Sequence, residues 1–117
     1  MDYMLLILEP HGQRAERTPA EGEAAYASMV GYADTLKAEG KLRGVGSLLG
    51  DERGVRVQVR GGRPRTVDGP FTEAKEMIGG YFLVDCDSLE EAVALAKGCP
   101  AAAWATVEVR AAGPCFA

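Results

Sequence analysis

The sequence predicts an α+β sandwich, one antiparallel sheet with two helices packed on one face. Two unbroken apolar runs, Tyr3 to Leu8 and Tyr81 to Val84, have the length of strands and the continuous hydrophobicity of buried ones. Two segments of helical periodicity each open on a capping signal, Thr18-Pro19-Ala20-Glu21 and Ser88-Leu89-Glu90-Glu91. The chain of 117 residues suits one domain, 1–117, with one core, and holds no repeat, long linker or low-complexity stretch.

Each element has its own local reason. The first strand stops at Glu9-Pro10. Thr18 caps the first helix, Pro19 takes its first position and Glu21 completes a capping box; the helix runs to about Glu39 and Gly40 ends it. Ala25, Met29, Tyr32, Ala33 and Leu36 form its apolar stripe. Leu42 to Leu49 reads as a weak strand interrupted by Gly44 and Gly46. Val55, Val57 and Val59 alternate with Arg56, Gln58 and Arg60, the pattern of a half-buried strand, and Gly61-Gly62 turns it into Arg63 to Val67, where Pro64 marks an edge. After a turn at Asp68-Gly69-Pro70 and a single helical turn comes Tyr81 to Val84. The second helix buries Leu89, Ala92, Val93 and Ala96 and stops at Cys99-Pro100; Thr106 to Arg110 alternates as the last strand, and Ala111 to Ala117 forms a loose tail. Strand, helix, two or three strands, strand, helix, strand is the order of a ferredoxin-like sandwich.

Two helices cover one face of such a sheet, yet the two apolar strands carry large side chains on both faces. Apolar burial contributes about 25 cal/mol per Å², so the uncovered face predicts a sheet-to-sheet homodimer.

Composition excludes several classes. The formal net charge of −4 argues against nucleic-acid binding, which needs a basic footprint. Arg53, Arg56, Arg60, Arg63 and Arg65 gather locally and read as a solvated hairpin, with a local anion site as the lesser alternative. The apolar opening is too short to span a bilayer and lacks a signal peptide's flanks, so a cytoplasmic location without membrane attachment is expected. Cys86, Cys99 and Cys115 form neither a disulfide framework nor a metal-binding spacing, and no cofactor fingerprint is present.

The densest chemistry lies at Asp68-Gly69-Pro70-Phe71-Thr72-Glu73-Ala74-Lys75-Glu76. Gly69 is conformationally free, Pro70 fixes its own φ and Asp68 is suited to bonding a nearby amide, so a rigid turn would aim Phe71 and hold Glu73, Lys75 and Glu76 beside it. With the opening Tyr3-Met4-Leu5-Leu6-Ile7, Gly79-Gly80-Tyr81 and the closing Val107-Glu108-Val109-Arg110, this stretch resembles the YCII-related family, in particular the subgroup named for its DGPF tetrapeptide. The resemblance spans nearly the whole chain. It implies a dimeric α/β barrel, two ferredoxin-like sheets facing one another around a cleft. Relatives in that group include isomerase-like and degradative enzymes of small organic compounds, so isomerase or lyase proton transfer is one expectation. Genes of DGPF-type proteins often neighbour extracytoplasmic-function sigma factors, so a non-catalytic regulatory protein associated with a sigma factor is the alternative.

The candidate catalytic residues are Asp68 and Lys75, and the candidate substrate-binding residues are Phe71, Glu73 and Tyr81. Asp68 offers a general base or ligand-orienting carboxylate, against the plainer role of closing an Asx turn. Lys75 offers a cation for an anionic ligand and Glu73 a proton, against ordinary solvated charges. Phe71 and Tyr81 offer an apolar wall, against ordinary core packing. Glu108 and Arg110 share one strand face and read as a surface pair. His11 is the only histidine and follows Glu9-Pro10 with no partner visible along the chain. The resemblance associates a His/Asp pair with the family, but no histidine stands in the first helix to match it.

Overall fold

The computed structural model describes residues 1–117. Its main sheet contains β1 (Asp2–Pro10), β2 (Leu42–Ser47), β5 (Glu76–Asp85) and β6 (Thr106–Ala111), in the spatial order β2-β5-β1-β6 with every pairing antiparallel. Two further strands, β3 (Val55–Arg60) and β4 (Arg63–Asp68), form a separate hairpin. The helices are α1 (Gln13–Glu16), α2 (Pro19–Ala38) and α3 (Leu89–Lys97), with 3₁₀ turns at Asp51–Arg53 and Pro100–Ala103. Without the hairpin and the short α1, this is the ferredoxin-like order the sequence predicts.

The helix ends follow local chemistry. The Thr18 hydroxyl accepts from the Glu21 amide while Glu21 accepts from the Thr18 amide, a complete capping box, and Ser88 caps α3 through the Glu91 amide. Gly40 ends α2 at φ 72°, a conformation that costs glycine no Cβ clash.

On the helix-facing side of the sheet Tyr3, Leu5, Ile7, Phe82 and Val84 are buried with Leu36 of α2 and Ala92 and Ala96 of α3. Tyr32 closes the α2–α3 seam: its ring meets Phe82 edge-on at 5.2 Å and its hydroxyl donates to the Leu95 carbonyl. On the other side Met4, Leu6, Leu8, Tyr81 and Leu83 are only half-buried and Ile78 is exposed. The expectation of strands buried on both faces therefore holds for one face within a single chain.

Three local expectations are revised. The hairpin is not half-buried: all residues of β3 and β4 are exposed, because neither of its faces lies against the sheet. Residues 72–75 form turns rather than a helical turn. The strand β5 begins at Glu76, ahead of the apolar run, and carries a bulge: Ile7 pairs with Gly80 and Leu8 with Ile78, leaving Gly79 unpaired.

Candidate functional site

The end of β1 and the loop around the Asp-Gly-Pro-Phe turn bring together residues distant in sequence. The amide of His11, just past β1, donates to the Lys75 carbonyl at 3.1 Å, which ties the histidine to the segment after the turn. Its ring Nε2 lies 2.5 Å from Asp51 Oδ2. The same Asp51 oxygen accepts from the Phe71 amide at 3.2 Å, while Oδ1 has no hydrogen-bond partner. His11 has no partner visible along the chain; the fold supplies one from forty positions away.

The turn explains how Asp51 is held. The Gly69 amide donates to the Gly54 carbonyl at 2.8 Å, and a Cβ on Gly69 would run into the Asp51 carbonyl oxygen. Gly69 therefore permits backbone contact with the Asp51–Arg53 turn that no other residue allows. Phe71 is buried at 8 % exposure, and the Arg56 guanidinium sits over its ring at 3.8 Å. The tetrapeptide thus works as a clamp, with one end on the Asp51 backbone and the other delivering the Phe71 amide to the Asp51 carboxylate.

The electrostatics are those of a hydrogen-bonded ion pair. The hydrogen bond to Asp51 is the largest influence on His11 and raises its pKa above the usual 6.5, against the opposing effect of burial. Reciprocally, the His11 hydrogen bond draws the Asp51 carboxyl below its usual 3.8, helped by the Phe71 amide. The second ring nitrogen, Nδ1, is sealed from solvent and makes no hydrogen bond. Beside the pair opens a cavity of about 670 Å³, whose walls include Asp51, Arg53, Arg56, Phe71, Met77 and Ile78.

The sequence-predicted residues are distributed around this centre. Glu73 is exposed and pairs with Arg56 at 3.0 Å, so Phe71 and Glu73 are joined through an arginine that the sequence assigned to a solvated hairpin. Asp68 is exposed at the end of β4 opposite Val55, and its carboxylate closes no Asx turn. The Lys75 ammonium is exposed and forms no ion pair. Tyr81 stands apart on the half-buried sheet face, its ring filling the space that a Cβ on Gly46 would occupy. Glu108 and Arg110 pair at 3.8 Å on the surface, as expected. Cys86 is buried, and that burial pushes its thiol up, away from nucleophilic reactivity. No group of three His, Cys, Asp or Glu side chains comes together to hold a metal ion.

Sequence reasoning also missed Glu9 and Arg14. Glu9 is 6 % exposed, and Arg14 engages it through two nitrogens at 3.1 and 2.6 Å while bonding the Leu48 carbonyl at 2.8 Å. Gly79 makes room for the pair, since a Cβ there would collide with the Glu9 carboxylate. The signal was present: Glu9 continues the inward alternation of Tyr3, Leu5 and Ile7.

Residues 1–113 match the YCII-related domain. An uncharacterised protein of Rhizobium meliloti (strain 1021) is 38 % identical over 97 residues, 83 % of this chain and 78 % of that one. Among solved structures, the chain is similar to 5-chloro-2-hydroxyhydroquinone dehydrochlorinase from Burkholderia phenoliruptrix in complex with 2,5-dihydroxybenzoquinone. The TM-score is 0.57 at 20 % identity, covering 97 % of this chain and 94 % of that one, a likeness of fold. No helix is long and apolar enough to cross a membrane.

Proposed function

We propose that this chain, which belongs to the YCII-related family, acts as a homodimer that binds a small organic acid and moves a proton on it through the Asp51–His11 couple. The observation that carries the reading is that Asp51 lines a cavity with its Oδ1 free of hydrogen bonds, while Oδ2 is committed to His11 and the Phe71 amide. A proton taken from an acidic C–H or O–H of the ligand is held on Asp51 Oδ1 while the His11 Nε2–H keeps its hydrogen bond to Oδ2. The ligand anion and the protonated Asp51 carboxyl are the products of that step. Arg53 on the same wall, which forms no ion pair, favours an anionic ligand. Phe71 supplies the apolar wall and Glu73 orients Arg56; Asp68 and Lys75 serve as charges at the mouth, and Tyr81 belongs to the sheet face that meets the second copy.

Surface area supports the dimer. The chain exposes 7893 Å², whereas a compact monomer of this size exposes about 6,100 Å². Its radius of gyration is 16.0 Å against about 13.4 Å for a compact domain of equal length. The excess, about 1,800 Å² on one chain, is more than the roughly 800 Å² that each partner gives to a standard interface. Leu6→Asp and Leu83→Asp on the half-buried sheet face should convert the dimer to monomer in sedimentation equilibrium.

Ligand binding is tested by calorimetric titration with planar acidic enols and phenols, 2,5-dihydroxybenzoquinone among them, chosen for their chemistry. Binding that is lost in Asp51→Asn and weakened in Asp68→Asn and Lys75→Met supports the reading. Binding unaffected by Asp51→Asn refutes it.

A further inference from the structure

A second opening lies elsewhere in the molecule. α2 is drawn toward α3 and the Pro100–Ala103 turn by Tyr32, Leu36 and Met29, the last touching Cys99. This leaves the helix-facing side of β2 uncovered: Leu42 is half-buried and Val45 is 49 % exposed. The result is a groove of about 680 Å³ between α2 and the β2 side of the sheet. Its α2 wall runs from Gly22 to Lys37, about 22 Å at the helical rise of 1.5 Å per residue.

Its chemistry is graded along its length. The middle is apolar, with Met29, Val30, Ala33, Leu42 and Val45. At its floor Glu9 and Arg14 neutralise each other. At one end Asp34 and Lys37, one helical turn apart, bring opposite charges. At the other end stands Arg17, over the Trp104 ring at 5.7 Å, which bonds only the neutral Gln13 side chain and forms no ion pair. Glu21 feels the Arg17 charge, but its Oε1 is committed to the Thr18 amide.

A long apolar trough ending in one uncompensated guanidinium suits a ligand with an extended apolar body and a single anionic head. We infer that the α2–β2 groove binds a fatty-type monocarboxylate, its chain along Met29, Val30 and Val45 and its carboxylate on Arg17. This site is separate from the Asp51–His11 cavity and stands or falls without it.

Trp104 is the only tryptophan, so its emission reports on the groove directly. The test is calorimetric titration of the full chain with decanoate and with neutral decanol, with Trp104 fluorescence recorded in parallel. Decanoate should bind and shift the Trp104 emission. Arg17→Gln should weaken decanoate about tenfold, the value of a charge-assisted hydrogen bond, and leave decanol unchanged, while Arg17→Lys should restore much of the loss. Three results would overturn the inference: no decanoate binding at millimolar concentration, equal loss of both ligands in Arg17→Gln, or decanoate binding that leaves Trp104 unmoved and disappears in Asp51→Asn.

Discussion

Replacing Gly69 with alanine tests whether the Asp-Gly-Pro-Phe turn exists to hold Asp51. The added Cβ would enter the Asp51 carbonyl oxygen, with the Asp51 carbonyl carbon at 2.9 Å and the Gly54 carbonyl oxygen at 3.3 Å behind it. All three are backbone atoms, so no flexible side chain can swing aside; the turn must separate from the Asp51–Arg53 segment. Overpacking against a fixed neighbour costs about 3 kcal/mol, the upper part of the usual range. With a urea dependence of about 1.5 kcal/mol per molar, the unfolding midpoint should fall by about 2 M at equal protein concentration. Separation also withdraws the Asp51 carboxylate from His11, so the imidazole should titrate closer to its ordinary 6.5. Gly98→Ala is the matched control, because its Cβ would meet only the Leu95 carbonyl at 3.5 Å; it should leave both readouts unchanged. A Gly69→Ala protein with the native midpoint and the native His11 titration would refute the clamp.

Other consequences follow from the same contacts. Arg14→Met strands the buried Glu9 carboxylate without a partner and should cost about 3 kcal/mol in chemical denaturation. Thr18→Ala removes half of the capping box and should cost about 1 kcal/mol, read as a lower midpoint at unchanged slope. The Asp51–His11 pair should stabilise the fold within a pH window. The raised His11 pKa makes its contribution complete below 6.5 and lost as pH rises through the folded value. The lowered Asp51 pKa makes its contribution present above 3.8 and lost as pH falls through the folded value. The stability difference between the native chain and Asp51→Asn should therefore peak between the two titrations and shrink on either side, as followed by thermal unfolding across pH.

The fold was legible wherever its cause is local. Thr18 and Ser88 caps, the Gly40 stop and the two apolar strands depend on residues a few positions apart. The β3–β4 hairpin misled, since alternating valine and arginine ordinarily marks one wet and one dry face, and here Val55, Val57 and Val59 remain exposed. Alternation reports that one face is apolar without saying that anything covers it. The candidate site was legible only in part. The turn and Phe71 were readable from glycine and proline chemistry, but their purpose depends on Asp51, which no local signal distinguishes from other exposed-turn aspartates. His11 and Asp51 meet only because β1 ends beside the segment that precedes the hairpin, a property of strand order. Glu9 was within reach of the sequence, because its place in the inward register of β1 required a buried partner.

The central claim is that His11 and Asp51 form one acid–base couple, and the single histidine allows it to be tested without assignment ambiguity. The measurement is a proton NMR titration of the His11 ring in the native chain and in Asp51→Asn. The couple predicts a native pKa above 6.5 that drops in the variant, with the remainder of the spectrum preserved. An imidazole that titrates identically in both proteins would contradict it.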